Sequence, residues 1–261
     1  MFDDFTMITH ELPPVDTVII PIGDVHLGAR EHMAKEWDAF CKEILGRENV
    51  YLFIGGDLLN NGVKTSVSNV YEEILRPREA KQEMTRMLEP LRDRILAGVG
   101  GNHERRNKDV DNDPLYDVFC KLDIEERYRS TLAFVKVRLS AGDHNAAGAD
   151  RPCYMFVMAH GAGSSIYTTS AAARPERFGM AIDGMDCQVT FHTHKPLNAP
   201  VGKIQIDKRN EKVSVVPWRL VVGSSWLNYA GYAGQKLLTP TVHCRQEIML
   251  SARGKDLKVL Q

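Results

Sequence analysis

The chain has 261 residues, of which 43% are hydrophobic, and this length allows one large domain with a substantial core. Its 33 basic and 34 acidic side chains give a formal net charge of -1, which argues against nucleic-acid binding through bulk charge alone. The five cysteines are scattered and never form a C-x-x-C pair, so neither a disulfide framework nor a thiolate zinc site is expected. The acidic start and the lack of a long apolar stretch predict a cytoplasmic chain with no secretory signal and no membrane partner.

The first half of the chain alternates short apolar runs with helical patterns, as βαβ units do. The runs that predict buried strands are Thr17–Ile22, Val50–Ile54 and Ile95–Val99. The patterns that predict helices are Glu31–Leu45, Arg78–Ile95 and Asp113–Leu122. Pro90 is expected to kink or break the second helix, and Asp113 with Pro114 fits the start of the third.

The second half is predicted to be mostly β-structure. The apolar or alternating runs that predict strands are Leu132–Leu139, Tyr154–Ala159, Cys187–Phe191, Val201–Ile206, Val213–Val222 and Val242–Ser251. By composition, Asp143–Pro152 and Gly161–Ala173 are expected to be surface loops. Both halves are satisfied by an α/β fold in one domain, residues 1–261: a four-layer α/β/β/α sandwich with two mixed β-sheets flanked by helices.

Five of the predicted strands run directly into short polar motifs that contain histidine, aspartate or asparagine. In chain order the motifs are Asp24-Val25-His26, Gly56-Asp57, Gly101-Asn102-His103-Glu104, His160-Gly161 and His192-Thr193-His194. Ligand sites of α/β sheets gather at the carboxyl ends of strands, so these motifs are expected to converge on one rim. Each motif alone occurs by chance in many proteins, but the ordered set of five is specific.

This ordered set resembles the calcineurin-like metallophosphoesterase superfamily, whose motifs are D-x-H, G-D, G-N-H-E, H and G-H-x-H. The match covers roughly residues 17 to 196. One position departs from the pattern, because Phe191 stands where the last motif usually has glycine. We expect this departure to affect backbone packing beside the site rather than a metal ligand.

The resemblance implies two divalent metal ions and a role for each motif residue. The first ion would be held by Asp24, His26, Asp57 and His194. The second would be held by Asp57, Asn102, His160 and His192, with Asp57 bridging the two. His103 would lie outside both metal shells and face the substrate phosphate as the catalytic proton donor, oriented by Glu104 or by a nearby backbone carbonyl. Carboxylate, amide and imidazole ligands suit manganese best, with iron, zinc or magnesium as alternatives.

Four further residues are candidates for substrate binding. Asn60 closely follows the bridging carboxylate, although the Asn61-Gly62 pair beside it is also a strong turn signal. Arg105 follows the third motif with Arg106 and Lys108, and solvated surface charge is the better explanation for at least one of these three. Arg174 follows the small-residue stretch, and ion pairs elsewhere explain it at least as well as substrate binding. Tyr167 offers a ring on which a base could stack, although a lone aromatic residue in a loop is weak support.

The motif details resemble the bacterial or phage-type phosphodiesterase and DNA-repair-nuclease branches of the superfamily. The Leu58-Leu59-Asn60 segment after Asp57 lacks the arginine of the protein serine/threonine phosphatases. Repair nucleases often carry histidine where Asn60 stands, so a compact relative or an enzyme for smaller substrates is also compatible.

The leading functional hypothesis is a phosphodiesterase acting on nucleic acid or nucleotides. A hydroxide that bridges the metals would attack phosphorus, and His103 would protonate the leaving group. The alternative is a phosphomonoesterase for a small molecule or a phosphoprotein. A metal-binding scaffold without catalysis is a third reading, which the complete ligand set argues against. The expected partner is a phosphate-ester substrate such as DNA or a nucleotide, while the oligomeric state and a partner ATPase stay open.

Overall fold

The computed structural model describes residues 5–63, 66, 70–106, 113–140, 151–163, 167–235 and 237–261, and these residues form two six-stranded sheets. Sheet I has the order β12 (Leu257–Leu260), β11 (Glu247–Leu250), β2 (Thr17–Ile22), β3 (Val50–Ile54), β4 (Ile95–Val99) and β5 (Tyr128–Arg129). Sheet II has the order β1 (Met7–Leu12), β6 (Leu132–Leu139), β7 (Cys153–Ala159), β8 (Cys187–Thr190), β10 (Lys212–Val222) and β9 (Leu197–Asp207).

Both sheets are mixed. In sheet I, strands β2 to β5 run parallel to their neighbours, while β11 is antiparallel to β2 and to β12. In sheet II, β7, β8 and β10 run parallel, while β6 with β7 and β9 with β10 are antiparallel. Consecutive parallel strands place their carboxyl ends at the same edge, which sets where the polar motifs emerge.

The sheets pack face to face, with helices on the two outer sides. The inner core joins sheet I residues such as Phe53 to sheet II residues such as Phe156, whose ring centroids are 5.1 Å apart. Helices α1 (Ala34–Gly46), α2 (Pro77–Leu88) and α3 (Pro114–Lys121) bury their apolar faces on sheet I. Helix α4 (Thr168–Gly179) covers sheet II, and α5 (Tyr232–Gln235) is a single turn. The predicted four-layer α/β/β/α sandwich is therefore confirmed.

Two local predictions about helix boundaries hold for the stated reasons. The second predicted helix ends as an α-helix at Leu88, and Glu89–Arg94 continues as a 3-10 helix that contains Pro90. Asp113 caps α3, because its Oδ1 accepts hydrogen bonds from the N–H groups of Leu115 and Tyr116, each at 3.1 Å.

Other boundaries were predicted wrongly. The strand expected over Val242–Ser251 covers only Glu247–Leu250, and the segment expected as a loop to Ala173 becomes helical from Thr168. Residues 164–166 of that segment, and 143–150 of the other predicted loop, lie outside the described residues. Strand β1 went unpredicted because His10, whose Nε2 lies 2.7 Å from the Leu96 carbonyl oxygen, interrupts its alternation of apolar residues. Strand β12 also went unpredicted.

No helix within the described part of the chain is long and apolar enough to cross a membrane.

Candidate metal centre

The polar motifs follow β2, β3 and β4 of sheet I and β7 and β8 of sheet II, and the structure brings them together. The Asp24 N–H donates to the Gly56 carbonyl at 3.0 Å, and the His26 N–H donates to the Asp57 carbonyl at 2.9 Å. Across the sheets, the His192 N–H donates to Asp24 Oδ2 at 2.9 Å. These bonds hold loops that are up to 168 positions apart in sequence at one shared edge.

The first ligand group contains Asp24, His26 and His194. The Nε2 atoms of His26 and His194 lie 3.3 Å apart, and Asp24 Oδ1 lies 3.3 Å from His194 Nε2 and 3.8 Å from His26 Nε2. Asp24 is fully buried, and its Oδ1 has no hydrogen-bond partner. Three donor atoms therefore point at one small volume, as ligands of a metal ion do.

The second ligand group contains Asp57, Asn102, His160 and His192. Asn102 Oδ1 lies 3.0 Å from His160 Nε2 and 2.7 Å from His192 Nδ1. Asp57 Oδ2 lies 3.3 Å from His160 Nε2. The other ring nitrogens are already engaged, because His160 Nδ1 lies 2.7 Å from the Gly55 carbonyl and His192 Nε2 lies 2.8 Å from the Gly163 carbonyl.

Those two carbonyl contacts test whether the second group fits a cation. A nitrogen beside a carbonyl oxygen must carry the proton, which leaves His160 Nε2 and His192 Nδ1 as bare lone pairs when the rings are neutral. Both lone pairs then face the Asn102 oxygen at 3.0 Å or less. Lone pairs repel at these distances unless a proton or a cation lies among them. The donor set, with the unpartnered Asp24 Oδ1, therefore fits divalent metal ions.

Asp57 lies between the two groups. A carboxylate oxygen of Asp57 lies within 4.8 Å of donor atoms of His160 and His192 on one side and of His26 and His103 on the other. Asp57 Oδ1 accepts the His103 backbone N–H at 2.8 Å, which fixes the orientation of the carboxylate. Asp57 thus belongs to two of the donor groups, and His26 links it to the group of Asp24 and His194.

The backbone at this edge is strained. Five of the seven predicted ligands have a left-handed backbone, with φ values of 50° for Asp24, 50° for His26, 51° for Asp57, 73° for His192 and 55° for His194. Each such residue costs on the order of 1–3 kcal/mol and persists only where the surrounding structure holds it. Clustering of this strain at one edge is typical of a functional site.

Phe191 explains how the two sheets approach each other here. Its buried ring packs against three glycines, so closely that a Cβ on Gly23, Gly55 or Gly223 would come within 2.0–2.4 Å of a ring carbon. The departure from the family motif therefore acts on backbone packing, as expected, and its ring occupies space that only glycine can leave free. Nothing in the local sequence around residue 191 links it to these distant glycines.

Glu104 holds the loops in place from behind. It is fully buried and accepts the backbone N–H groups of Asp57 at 2.8 Å, Gly101 at 3.0 Å and Leu59 at 3.2 Å. Burial and the neighbouring Asp57 carboxylate raise the pKa of Glu104 to about 8. Glu104 and a backbone carbonyl were both expected to orient His103, and the group that does so is the Asn60 backbone carbonyl.

His103 is held in a single orientation beside the first group. Its Nδ1 lies 2.8 Å from the Asn60 carbonyl oxygen, and its ring stacks edge-on against His26 with centroids 4.4 Å apart. Its Nε2 lies 3.7 Å from Asp57 Oδ2 and accepts a hydrogen bond from Arg106 at 2.8 Å. Burial, together with the Arg106 guanidinium, lowers the pKa of His103. Donor atoms of His103, His26 and Asp57 also lie within 4.8 Å of one another, close enough to hold one metal ion together.

Charge at the site is balanced between carboxylates and imidazoles. Burial alone would raise the pKa values of Asp24 and Asp57, but the neighbouring imidazoles together outweigh burial and lower them, with His194 contributing most at Asp24 and His160 most at Asp57. Burial alone would lower the pKa of His160, but the Asp57 carboxylate outweighs burial and raises it to about 9. The buried carboxylates and imidazoles thus favour each other's charged forms, and bound cations would likewise favour the charged carboxylates.

The four candidate substrate residues are not brought together as one set. The Asn60 side chain is buried and donates to Glu73 Oε1 at 3.0 Å, so its amide is occupied. Tyr167 is 67% exposed at the start of α4. Arg105 and Arg174 both line a cavity of about 580 Å³ whose lining also includes His160. The Arg105 guanidinium is anchored there by the carbonyl groups of Gly100 and Ser130, at 2.7 and 2.9 Å.

The same cavity contains residues that the sequence analysis did not select, Gln188 and Thr190 of β8. The sequence pattern that could have revealed them is the alternation of apolar and polar residues in Cys187-Gln188-Val189-Thr190. This alternation places the two polar side chains on the face opposite the inter-sheet core.

Comparison with known proteins adds little to this geometry. No family model and no curated protein matches the sequence. One similar solved structure is a conserved uncharacterized protein of Streptococcus pneumoniae TIGR4, described as a predicted phosphoesterase, with 10% identity, 94% of this chain and 98% of that chain covered, and a TM-score of 0.37. Another is the NAD nucleotidase of Haemophilus influenzae, with 11% identity, 97% of this chain and 50% of that chain covered, and a TM-score of 0.39.

Proposed function

We propose that this chain is a phosphodiesterase that requires two divalent metal ions and acts on nucleic acid or nucleotides. One observation carries the proposal: two groups of oxygen and imidazole donors meet at the joint edge of the sheets, with the Asp57 carboxylate between them. Such paired sites are used for in-line attack on phosphate esters.

The residues would divide the work as follows. Asp24, His26 and His194 would hold one ion, Asn102, His160 and His192 the other, and Asp57 both. Bound ions of this class supply Lewis acidity, which lowers the pKa of water and neutralises charge on phosphoryl oxygens. The carbonyl groups of Gly55 and Gly163 orient the two rings of the second group and fix which nitrogen is free to bind.

His103 would donate the proton that the leaving oxygen needs. The Asn60 carbonyl fixes its Nδ1, so Nε2 is the atom left to face the substrate. In the structure Nε2 accepts from Arg106, so this contact must open and Nε2 must take a proton from solvent before His103 can act as the acid. Once the proton has been transferred, Arg106 would stabilise the neutral ring by donating to Nε2 again. Glu104 would act on Asp57 only through the backbone, by holding the N–H group at 2.8 Å.

The choice of manganese and of diesters is tested by a hydrolysis screen. We would assay the purified chain with manganese, and in parallel with iron, zinc and magnesium, on bis-p-nitrophenyl phosphate, p-nitrophenyl phosphate, and single- and double-stranded DNA. We expect turnover of the diesters, abolished by chelation and restored best by manganese. A preference for the monoester would favour a phosphomonoesterase, and the absence of metal-dependent turnover on all four substrates would reject the proposed function.

A further inference from the structure

The cavity beside His160 lies between α4 and the outer face of sheet II. Its volume of about 580 Å³ is within the roughly 300–1,000 Å³ typical of small-molecule sites. Its lining includes His160 and Gly161, so the cavity adjoins the second ligand group. A molecule bound in it would therefore lie beside the candidate metal centre.

The walls of this cavity are mainly apolar. They are formed by Leu132 and Ala159 of sheet II and by Pro175, Phe178 and Ala181 of the α4 segment. A flat, weakly polar ring would replace water on these surfaces favourably, whereas a bare sugar phosphate would not.

Two polar side chains are built into the sheet face of the cavity. Gln188 and Thr190 are 1% and 2% exposed, and Gln188 Oε1 and Thr190 Oγ1 have no hydrogen-bond partner. A Cβ at Gly179 of α4 would come within 2.3 Å of Gln188 Oε1, so the glycine leaves the room that this amide occupies. Buried polar groups without partners are destabilising, and a ligand with hydrogen-bonding edges would recover part of that loss.

The rim of the cavity is positively charged. Arg174 and Arg177 are exposed, lie three positions apart on α4, and contact no carboxylate of the described residues. Side chains at this spacing lie on the same helix face, so the two guanidinium groups can bind one anion together. Arg105, fixed by its two carbonyl contacts, adds a third positive charge.

We infer that this cavity binds a nucleotide unit that carries a second phosphate, next to the phosphate that is cleaved. The base would lie between the apolar walls with its edge toward Gln188 and Thr190, and the second phosphate would lie between Arg174 and Arg177. This inference rests on the proposed function for the identity of the reacting phosphate. The same chemistry is present in a free dinucleotide and at the phosphorylated end of a nucleic-acid strand.

Binding can be measured without turnover. We would follow equilibrium dialysis of labelled 5'-phosphorylated dithymidylate, pTpT, in the presence of a chelator, with TpT, which lacks the terminal phosphate, as competitor. Ala181→Trp fills the cavity, and Ala181→Ser is its matched control. We expect saturable binding to wild type and Ala181→Ser, at least a tenfold weaker affinity for Ala181→Trp, and much weaker competition by TpT than by pTpT.

The charged rim is tested separately by Arg174→Ala with Arg177→Ala. We expect the ratio of pTpT affinity to TpT affinity to fall at least tenfold, because only pTpT offers the second phosphate. Lys208→Ala with Arg209→Ala, which removes two exposed charges from the β9–β10 turn, should leave this ratio unchanged. Circular dichroism would check that each variant is folded.

The outcomes separate the two proposals. Equal pTpT binding by folded Ala181→Trp and wild type, or no saturable binding by wild type, would overturn the cavity assignment whatever the turnover screen shows. If wild type binds pTpT but shows no metal-dependent turnover in the hydrolysis screen, only the proposed function is rejected. Competition by a 5'-phosphorylated 20-mer would identify a strand end as the source of the nucleotide, and failure to compete would identify a free dinucleotide.

Discussion

The two sheets contribute to the site in different ways. Sheet I supplies Asp24, His26, Asp57 and Asn102 from three adjacent parallel strands, and three of these four ligands are oxygen donors. Sheet II supplies imidazoles only. The side chains of Asp24 and Asp57 are 0% and 2% exposed, whereas the His194 side chain is 31% exposed.

The difference indicates that the protein holds the two negatively charged carboxylates in position before any cation binds. The sheet I loops are tied by backbone hydrogen bonds and by Glu104, so the carboxylates are buried and rigid. The imidazoles of sheet II reach across to them, and those of His160 and His192 are each oriented by a single carbonyl contact. We therefore expect variants of sheet I ligands to be more damaging than those of sheet II.

The largest effect is expected for Asp57→Asn. The carboxylate lies between both ligand groups, so its neutralisation should lower turnover of bis-p-nitrophenyl phosphate by more than about 100-fold, the upper range for loss of an outer partner of a metal ligand. Metal content, measured on the dialysed protein, should fall in parallel. Asp93→Asn, at an exposed carboxylate, is the control. Unchanged metal content and turnover would contradict the shared site.

His103→Ala should separate catalysis from metal binding. We expect turnover to fall by about 10²–10⁴-fold, with the greatest loss for esters that have poor leaving groups, because proton donation matters most for them. Metal content should stay near that of the wild type. A loss of bound metal would instead make His103 a ligand, as its grouping with His26 and Asp57 allows.

His192→Ala should be milder than Asp57→Asn and so test the comparison between the sheets. Removing one imidazole of the second group should weaken the affinity for one ion by about 10–100-fold, a loss that excess manganese can overcome. Titration of activity against manganese concentration would measure this shift. A loss of turnover as large as that of Asp57→Asn, with no recovery in excess manganese, would contradict the expectation that the carboxylates of sheet I matter more than the imidazoles of sheet II.

The smallest effect is expected far from the site, on the β9–β10 ribbon of sheet II. Ile204 pairs with Val215 and Ile206 with Val213, and all four side chains are 68–70% exposed. Ile206→Thr should change the free energy of unfolding by less than about 0.5 kcal/mol, measured by urea denaturation, and leave turnover unaltered. A larger destabilisation would show that this apolar ribbon is covered in solution.

The sequence predicts the sandwich and the convergence of the motifs because both depend on local patterns. Apolar strands followed by polar residues mark the carboxyl edge, and Asp57, Asn102 and His160 meet there as expected. Helix α4 was not predicted, because Pro175 and a run of small residues hide its pattern, although tertiary packing on Trp218 stabilises it. The cavity beside His160 depends on α4 and so could not be predicted either.

Phe191 has a consequence for how related sequences can vary. One ring contacts glycines at the ends of three strands from both sheets, so it sets the spacing between the carboxylates and the imidazoles. A side chain at position 23, 55 or 223 becomes tolerable only when position 191 is small. These four positions are therefore expected to co-vary across homologues, and chains with glycine at 191 are the ones free to carry larger residues at the other three.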